Sequence, residues 1–216
     1  MATSIYLIRH GQSLGNLSGR FQGRIDTPLT PLGLEQAEAL SRRFTSVPLH
    51  AVYASPLERA QQTAASIATP HGLPVRILPG LTEMHGGSIE GVLFTELVER
   101  NPEQFRMFDE QPHLHEGFDG AENIAELYAR AVDVLDEIAS SHFGQSVAVV
   151  SHGCLIRCCV CHAQGGTLQT LGRTKWSGNT GVFHITYGAD GQIALHCEND
   201  LTHLDEISPE EFTLKT

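Results

Sequence analysis

Long apolar segments and basic residues are scarce in this chain of 216 residues. No hydrophobic run approaches the ~20 residues that a helix needs to span a bilayer, so we expect no membrane anchor. The short apolar stretch near the amino terminus is interrupted by Arg9 and His10, which argues against a secretory leader. Lys and Arg number 14 against 25 Asp and Glu, which gives a net charge of −11. This acidic balance disfavours nucleic acid and anionic membranes as partners.

A dispersed disulfide framework is also missing. The five cysteines are an odd number, and four of them lie within residues 154–161. We therefore predict a reducing, cytoplasmic compartment. Cys154, Cys158 and Cys161 share one helical stripe, where a metal site is the alternative to small apolar side chains that pack behind a sheet. Because one helix rarely directs three ligands at one ion, we favour packing.

The composition that remains is that of a globular domain, with 41% hydrophobic and 18% charged residues. Short β-rich runs without polar alternation occur at Ser4–Ile8, Ala51–Ala54 and Ser146–Val150, as in strands that are buried on both faces. Helical segments alternate with them, which predicts an α/β fold: three layers, α/β/α, around a mostly parallel central sheet. The sequence GADG at 188–191 predicts a hairpin between the last two strands, and so one antiparallel edge.

Local signals place the helices. Thr30-Pro31 predicts an N-cap with proline in the first turn, and Ser55-Pro56-Leu57-Glu58 predicts a capping box. An amphipathic stripe predicts a long helix from about Ala121 to Ser141. Residues 92–120 hold one weak helix and a polar tail, and we interpret them as an insert over the active site at one end of the sheet. The length suits a single domain over residues 1–216.

Polar side chains follow the predicted parallel strands. The first is followed by Arg9-His10-Gly11, the second by Ser55-Pro56 with Arg59 one turn later, the third by Glu83 and the next by Ser151-His152-Gly153. Ligands of open parallel sheets bind beyond the carboxyl ends of the strands. We therefore expect two arginines, two histidines and one glutamate at a single rim.

This combination suits phosphoryl transfer without a metal or another cofactor. Guanidinium groups match phosphoryl oxygens, and a histidine can attack phosphorus and carry the group covalently. A second histidine can donate to an oxygen on which charge develops. A carboxylic acid can protonate the leaving group and then deprotonate the attacking water. The residues alone thus predict phosphoryl transfer, with no metal ligands and no cofactor.

The segments that carry these residues resemble the motifs of the histidine phosphatase superfamily, which has the phosphoglycerate-mutase-like fold. The resembling segments are LIRHGQSLGN, GRFQGRIDTPLTPLGLEQA, ASPLERAQQTA, LTEMHGGSIEG and SHG, and they span nearly the whole chain in the family's order. The resemblance implies that His10 is the nucleophile that becomes phosphohistidine. It implies that Arg9, Arg59 and His152 form the phosphate pocket with it. By the same resemblance Glu83 is the proton donor.

Further binding residues follow from the resemblance: Asn16 lines the pocket, Gln22 reaches the substrate, and Gly153 belongs to the binding site. From the residues alone, Asn16 and Gln22 could equally cap a loop. Arg20 and Arg24 are interpreted as solvated charges of the same loop.

The acid is the least determined of the catalytic residues, since Glu90, Glu96 or His85 could take the place of Glu83. One departure from the family pattern concerns the long helix. Residues 119–123, DGAEN, replace the usual Gly-Glu-Ser, which removes a hydroxyl cap.

The resemblance implies a phosphomonoester hydrolase that acts through phosphohistidine on a small phosphorylated metabolite. Phosphoglycerate mutases carry a longer insert with extra arginines, whereas residues 92–120 contain only Arg100 and Arg106. A mutase-type phosphoryl transfer therefore ranks second, and a non-catalytic module that binds a phosphorylated ligand ranks third. The oligomeric state is left open, a homodimer included.

Overall fold

Six strands form the central sheet. They are β1 (Thr3–Arg9), β2 (Ala51–Ala54), β3 (Val75–Ile77), β4 (Ser146–Ser151), β5 (Val182–Tyr187) and β6 (Ile193–Asp200), in the order β3-β2-β4-β1-β5-β6. β1, β2, β3 and β4 are parallel to one another, whereas β5 pairs antiparallel with both β1 and β6. The mostly parallel sheet with an antiparallel hairpin at one edge is therefore confirmed.

The computed structural model describes residues 2–205 and 207, so the predicted domain boundary at 216 lies outside the described residues. The helices are α1 (Leu14–Leu17), α2 (Pro31–Phe44), α3 (Glu58–Ala68), α4 (Phe94–Arg100), α5 (Pro102–Glu110), α6 (Ile124–Ser141) and α7 (Gly153–Ala163). Within residues 2–205, no helix combines the length and the apolar character that crossing a bilayer requires.

Both faces of the sheet are apolar, because successive side chains of a strand point to opposite faces. Ile5 and Leu7 of β1 belong to one buried cluster, which contains the apolar sides of α6 and α7. Ile8 belongs to a second cluster with Leu40 of α2 and Ala64 of α3. Helices thus cover the sheet on both sides, and the predicted three-layer arrangement is confirmed.

The cysteine-rich helix α7 packs into the first of these clusters. Cys154, Cys158, Cys159 and Cys161 are all buried among apolar side chains. Burial raises the pKa of the first three thiols, because the charged thiolate loses its hydration. The packing interpretation is confirmed. No cluster of three or more His, Cys, Asp or Glu side chains able to hold a metal ion occurs in the described part of the chain.

The N-cap predicted for α2 is confirmed, whereas the one predicted for α3 is not. Thr30 caps α2 by accepting a hydrogen bond from the amide of Gly33 (3.0 Å), as predicted. The capping box predicted at Ser55 is wrong: α3 begins at Glu58, and its N-cap residue makes no side-chain hydrogen bond. The carboxylate of Asp26 accepts from the Glu58 amide instead (2.8 Å), so a residue of a distant loop takes the capping place predicted for Ser55.

The insert contains two short helices rather than the one predicted. Pro102 begins α5 directly after Asn101, because proline fits the first turn of a new helix and breaks the interior of an old one. Asp109 at the end of α5 accepts from the indole of Trp176 (2.7 Å) and pairs with Arg157 of α7 (3.3 Å). These two contacts attach the insert to α7 and to the segment that precedes β5.

The long helix α6 keeps its cap although the usual serine is absent. Asn123 accepts from the amide of Glu126 (2.8 Å), and the Glu126 carboxylate accepts from the Asn123 amide (3.3 Å). The side-chain amide oxygen of Asn123 therefore caps α6 in place of the missing hydroxyl group.

Asn123→Ala should lower the free energy of unfolding by about 1 kcal/mol, because it leaves amide groups of the first turn of α6 without an acceptor. Urea denaturation measures the change. Asn123→Ser is the matched control and should stay within about 0.5 kcal/mol of the wild type, since serine caps helices as well as asparagine does. An alanine variant as stable as the serine variant would contradict this role.

Candidate active site

The carboxyl ends of β1, β2 and β4 meet at one rim because these strands are parallel neighbours. Arg9 at the end of β1 pairs in register with Ser151 at the end of β4. The next residues of the two strands are His10 and His152, whose ring centroids lie 5.1 Å apart. The structure thus brings together the two histidines that the sequence placed at a common rim.

His10 is buried and its orientation is fixed by its own backbone neighbour. Its Nδ1 lies 2.7 Å from the carbonyl oxygen of Gly11, which can only accept, so Nδ1 carries the proton and Nε2 keeps a free lone pair. Burial, together with the positive charges of Arg59 and Arg9, holds the pKa of His10 well below 6.5. His10 is therefore a neutral imidazole at neutral pH, the form that can act as a nucleophile.

Two arginines flank this imidazole, and each is held by carbonyl groups. Arg59 is only 1% exposed and donates to the carbonyls of Gly23 and Ile25, both at 2.8 Å. Arg9 donates to the carbonyl of Ser177. The Nε atoms of both arginines are buried and have no hydrogen-bond partner within the described residues. These unused donors, on groups that stay charged, make the pocket suited to an anion.

His152 completes the pocket and is supported by Ser55. Its Nε2 lies 2.7 Å from the Ser55 hydroxyl, while its Nδ1 is buried without a partner in the described part of the chain. The Ser55 oxygen also accepts from the amide of Leu57 (3.3 Å). With the serine proton on the His152 side, Nε2 accepts and Nδ1 carries the proton, so Nδ1–H can donate to a ligand oxygen.

Glu83 lies at the amino end of α7. Its two carboxyl oxygens accept from the amides of Cys154 (3.1 Å), Leu155 (3.3 Å) and its own neighbour Met84 (2.8 Å). A Cβ atom placed on Gly153 would lie 3.9 Å from both Glu83 Oε2 and Arg9 Cζ, so these two groups border the same space. The start of α7 thus holds the Glu83 carboxyl group beside Arg9.

The other acidic candidates of the sequence are engaged elsewhere. Glu90 accepts from the amides of Gly86 and Arg24, each at 2.8 Å. Glu96 pairs with Arg100 on the surface of α4. The position of Glu83 beside Arg9 makes it the carboxylate best placed to exchange a proton with a ligand in the pocket.

Asn16 and Gln22 serve the loop between β1 and α2. The Asn16 oxygen accepts from the amide of Ser13 (3.1 Å), and the Gln22 oxygen accepts from the hydroxyls of Ser13 (2.9 Å) and Thr27 (2.8 Å). These contacts support the loop-capping alternative for both residues. Direct binding of a substrate by either one stays a prediction, as it does for Gly153.

Several residues that support the position of His10 were not predicted from the sequence. Asn179 donates to the carbonyl of His10 (3.0 Å) and to the Asn16 oxygen (3.2 Å), and Thr63 accepts from the amide of Gly11 (3.0 Å). Asn179 precedes the antiparallel strand β5, whereas the sequence signals of a ligand site occur in residues that follow parallel strands. Gly11 itself is explained by a close approach, since a Cβ there would lie 2.6 Å from the carbonyl oxygen of Gly33.

Comparison with known proteins points to one family. The family model described as histidine phosphatase superfamily (branch 1) matches residues 5–200. Phosphoserine phosphatase 1 of Hydrogenobacter thermophilus is 37% identical over 165 residues, which cover 76% of this chain and 78% of that protein. A metal-independent phosphoserine phosphatase of Arabidopsis thaliana is 39% identical over 158 residues, which cover 72% of this chain and 66% of that protein.

The fold of this chain is also similar to that of a solved phosphatase structure. The phosphoserine phosphatase of Entamoeba histolytica, solved in complex with 3-phosphoglyceric acid, superimposes with a TM-score of 0.82 at 27% identity. The match covers 94% of this chain and 99% of that chain.

The free energy of unfolding should fall with acidification below pH 6.5, because the unfolded chain binds protons on histidines that the folded chain keeps neutral. Burial lowers the folded pKa of His152, as it does for His10, so this stability is complete above about pH 6.5 and is lost as the pH falls toward the folded values. Each histidine contributes up to about 1.4 kcal/mol per pH unit in that window.

Urea denaturation at pH 7, 6 and 5 tests this expectation. The variant His152→Asn should lose less stability between pH 7 and pH 5 than the wild type does. The exposed histidine variant His113→Gln is the control and should match the wild-type loss. Equal losses in all three proteins would show that His152 is not buried as a neutral group.

Ser55→Ala should reduce kcat/KM for phosphomonoesters by about 10-fold or more and weaken inhibition by vanadate to a similar degree, because the His152 ring loses the partner that fixes its tautomer. Ser55→Thr, which keeps a hydroxyl, should retain most of the activity. Ser41→Ala is the matched control, since it removes a hydroxyl that bonds a carbonyl between α2 and α3. A Ser55→Ala enzyme with unchanged vanadate affinity would refute this role.

Proposed function

The chain belongs to the histidine phosphatase superfamily, and on that basis we propose that it hydrolyses phosphoserine with His10 as the nucleophile. It is a phosphomonoester hydrolase that acts through a phosphohistidine intermediate on a small phosphorylated metabolite. Phosphoserine is proposed as that metabolite because two relatives named as phosphoserine phosphatases are 37% and 39% identical to this chain.

One observation carries the assignment of the residues. Three buried nitrogen atoms have no partner in the described part of the chain, and they belong to the side chains that surround His10: Arg9 Nε, Arg59 Nε and His152 Nδ1. Buried polar atoms normally have partners. A phosphoryl group beside His10 offers oxygens to these donors, and its negative charge balances the two guanidinium groups.

In the first step, His10 Nε2 attacks phosphorus and the bond from phosphorus to the ester oxygen breaks. The new bond joins Nε2 to phosphorus, and the leaving alkoxide takes a proton from Glu83. Arg9, Arg59 and His152 donate to the phosphoryl oxygens, on which negative charge is spread in the transition state. The neutral state of His10 supports this step, because no proton blocks its lone pair.

In the second step, water attacks the phosphohistidine. The Glu83 carboxylate, having lost its proton to the alcohol, takes one from the water, and the bond between Nε2 and phosphorus breaks. Inorganic phosphate leaves, and His10 and Glu83 return to their starting states. Atoms and protons balance over the cycle, and no metal takes part.

The insert supports a phosphatase over a mutase. Arg100 pairs with Glu96, and Arg106 is bonded by Glu103 and Glu110 on its own helix. Both arginines of the insert are thus paired with glutamates of their own helices rather than directed at the second anionic group of a bisphosphorylated intermediate. We also propose a cytoplasmic location, in keeping with five cysteines that are all free thiols.

Rapid mixing of the Glu83→Gln variant with 32P-labelled p-nitrophenyl phosphate should give a burst of about one nitrophenol per enzyme. Nitrophenolate leaves without a proton, whereas the second step still needs a base, so acid-labile label should accumulate on the protein. Adding His10→Ala should abolish both the burst and the label, and His10→Ala alone should lower turnover of phosphoserine by at least ~10³-fold.

His50→Ala, a change at an exposed histidine away from the rim, serves as the control and should behave like the wild type. Label that persists in the His10→Ala variant would refute His10 as the nucleophile. Tight phosphate binding by a wild-type protein without turnover of any phosphomonoester would instead identify a non-catalytic binding module. Turnover of other phosphomonoesters but not of phosphoserine would refute the substrate alone.

A further inference from the structure

Arg24 lies between the two backbone carbonyls that hold the buried guanidinium of Arg59. The carbonyl of Gly23 accepts from Arg59 Nη2 and that of Ile25 accepts from Nη1, both at 2.8 Å. The amide of Arg24 itself donates to the Glu90 carboxylate (2.8 Å). The backbone of Arg24 is therefore fixed, on both sides, relative to an arginine of the proposed phosphate pocket.

The side chain of Arg24 reaches the segment that carries the proposed proton donor. Its Nε lies 3.3 Å from the backbone carbonyl of Glu83, and its Nη2 lies 3.3 Å from the Glu122 carboxylate. The side chain is 43% exposed. The guanidinium thus lies beside the backbone of Glu83 and is partly open to solvent.

The carboxylates nearest to Arg24 are already engaged. Glu122 accepts two hydrogen bonds from Arg130 (2.9 and 2.8 Å), both shorter than its contact with Arg24. The Glu83 carboxyl group accepts from amides at the start of α7, and Glu90 accepts from the amide of Gly86 as well as from that of Arg24.

Two further groups near this segment also have partners. Asp26 accepts from the amide of Glu58, and the His85 ring bonds the carbonyl of Gly120 through Nδ1 (3.0 Å). Arg24 and Arg130 therefore share the Glu122 carboxylate, and Arg24 makes the longer of the two contacts with it (3.3 Å against 2.8 Å), so the Arg24 guanidinium is the more available of the two to a ligand.

We propose that Arg24 is a specificity-determining residue that binds a carboxylate carried by the alcohol part of the substrate. In phosphoserine this carboxylate is separated from the ester oxygen by two carbon atoms, so it lies near the ester oxygen that Glu83 protonates. An arginine fork bonds a carboxylate through two parallel N–H groups, which gives the contact direction as well as charge. The assignment rests on the proposed function, and it replaces the sequence-based interpretation of Arg24 as a solvated loop charge.

The test compares phosphoserine with phosphoethanolamine, which has the same phosphoryl, ammonium and alkoxide groups but no carboxylate. Wild-type enzyme should prefer phosphoserine, and Arg24→Gln should lower kcat/KM for phosphoserine by about 10- to 100-fold, the usual effect of losing a charge-assisted contact. The values for phosphoethanolamine should change less than about 3-fold. Because phosphoethanolamine also needs a protonated leaving group, its unchanged rate shows that Glu83 still works.

Arg20→Gln is the matched control, since Arg20 is an exposed arginine of the same loop that bonds the carbonyl of Gly91. It should leave both substrates unaffected. Arg24→Glu should reverse the preference in favour of phosphoethanolamine.

Equal losses on both substrates in Arg24→Gln, or a wild type without preference for the carboxylate, would overturn the assignment of Arg24. Wild-type enzyme that hydrolyses neither substrate but cleaves p-nitrophenyl phosphate would refute phosphoserine as the substrate. Wild-type enzyme that cleaves none of the three would refute the proposed function itself.

Discussion

The burial of two guanidinium groups beside two imidazoles is the constraint on which the arrangement of this molecule depends. A buried charge without a partner is costly, and two like charges repel each other as well. The fold meets this cost with carbonyl groups: Gly23 and Ile25 for Arg59, and Ser177 for Arg9. Each of these carbonyls comes from a loop, so binding the arginines also determines where the loops lie.

The two loops are in turn attached to the rest of the chain. The loop between β1 and α2 is tied to the start of α3 through Asp26, which caps that helix. The segment before β5 is tied to the insert through Trp176, Asp109 and Arg157. The β1–α2 loop and the insert are therefore both attached to the elements that form the phosphate pocket. Such connecting segments are the regions in which members of one fold differ in substrate. An enzyme built in this way keeps the chemistry of phosphoryl transfer while its loops set the preference for the alcohol.

The same charges set the chemical state of the histidines. Burial and the two arginines keep His10 neutral, and the carbonyl of Gly11 determines which ring nitrogen carries its proton. At His152 the proton position depends on a serine from the end of another strand. Nucleophile and donor can therefore be the same kind of side chain, because the hydrogen-bond partner of each ring gives it a different role.

The sequence alone determined the order of strands and helices and the residues at the strand ends. These features depend on local patterns: apolar runs for buried strands, Thr30-Pro31 for a helix start, and an arginine or histidine directly after a strand. Local patterns also indicated two helix features that the structure changed. The predicted Ser55 cap gave way to Asp26, and the single helix of the insert became two at Pro102.

Tertiary structure decided what depends on residues far apart in the chain. The contact of Ser55 with His152 joins positions 97 residues apart, and that of Asn179 with His10 joins positions 169 apart, so no local pattern predicts either one. The same holds for Arg24, which resembles any exposed loop arginine in the sequence. Only the folded chain shows that its neighbours hold Arg59 and that its guanidinium lies against Glu83, because hydrogen bonds between distant segments form when the sheet brings the strand ends together.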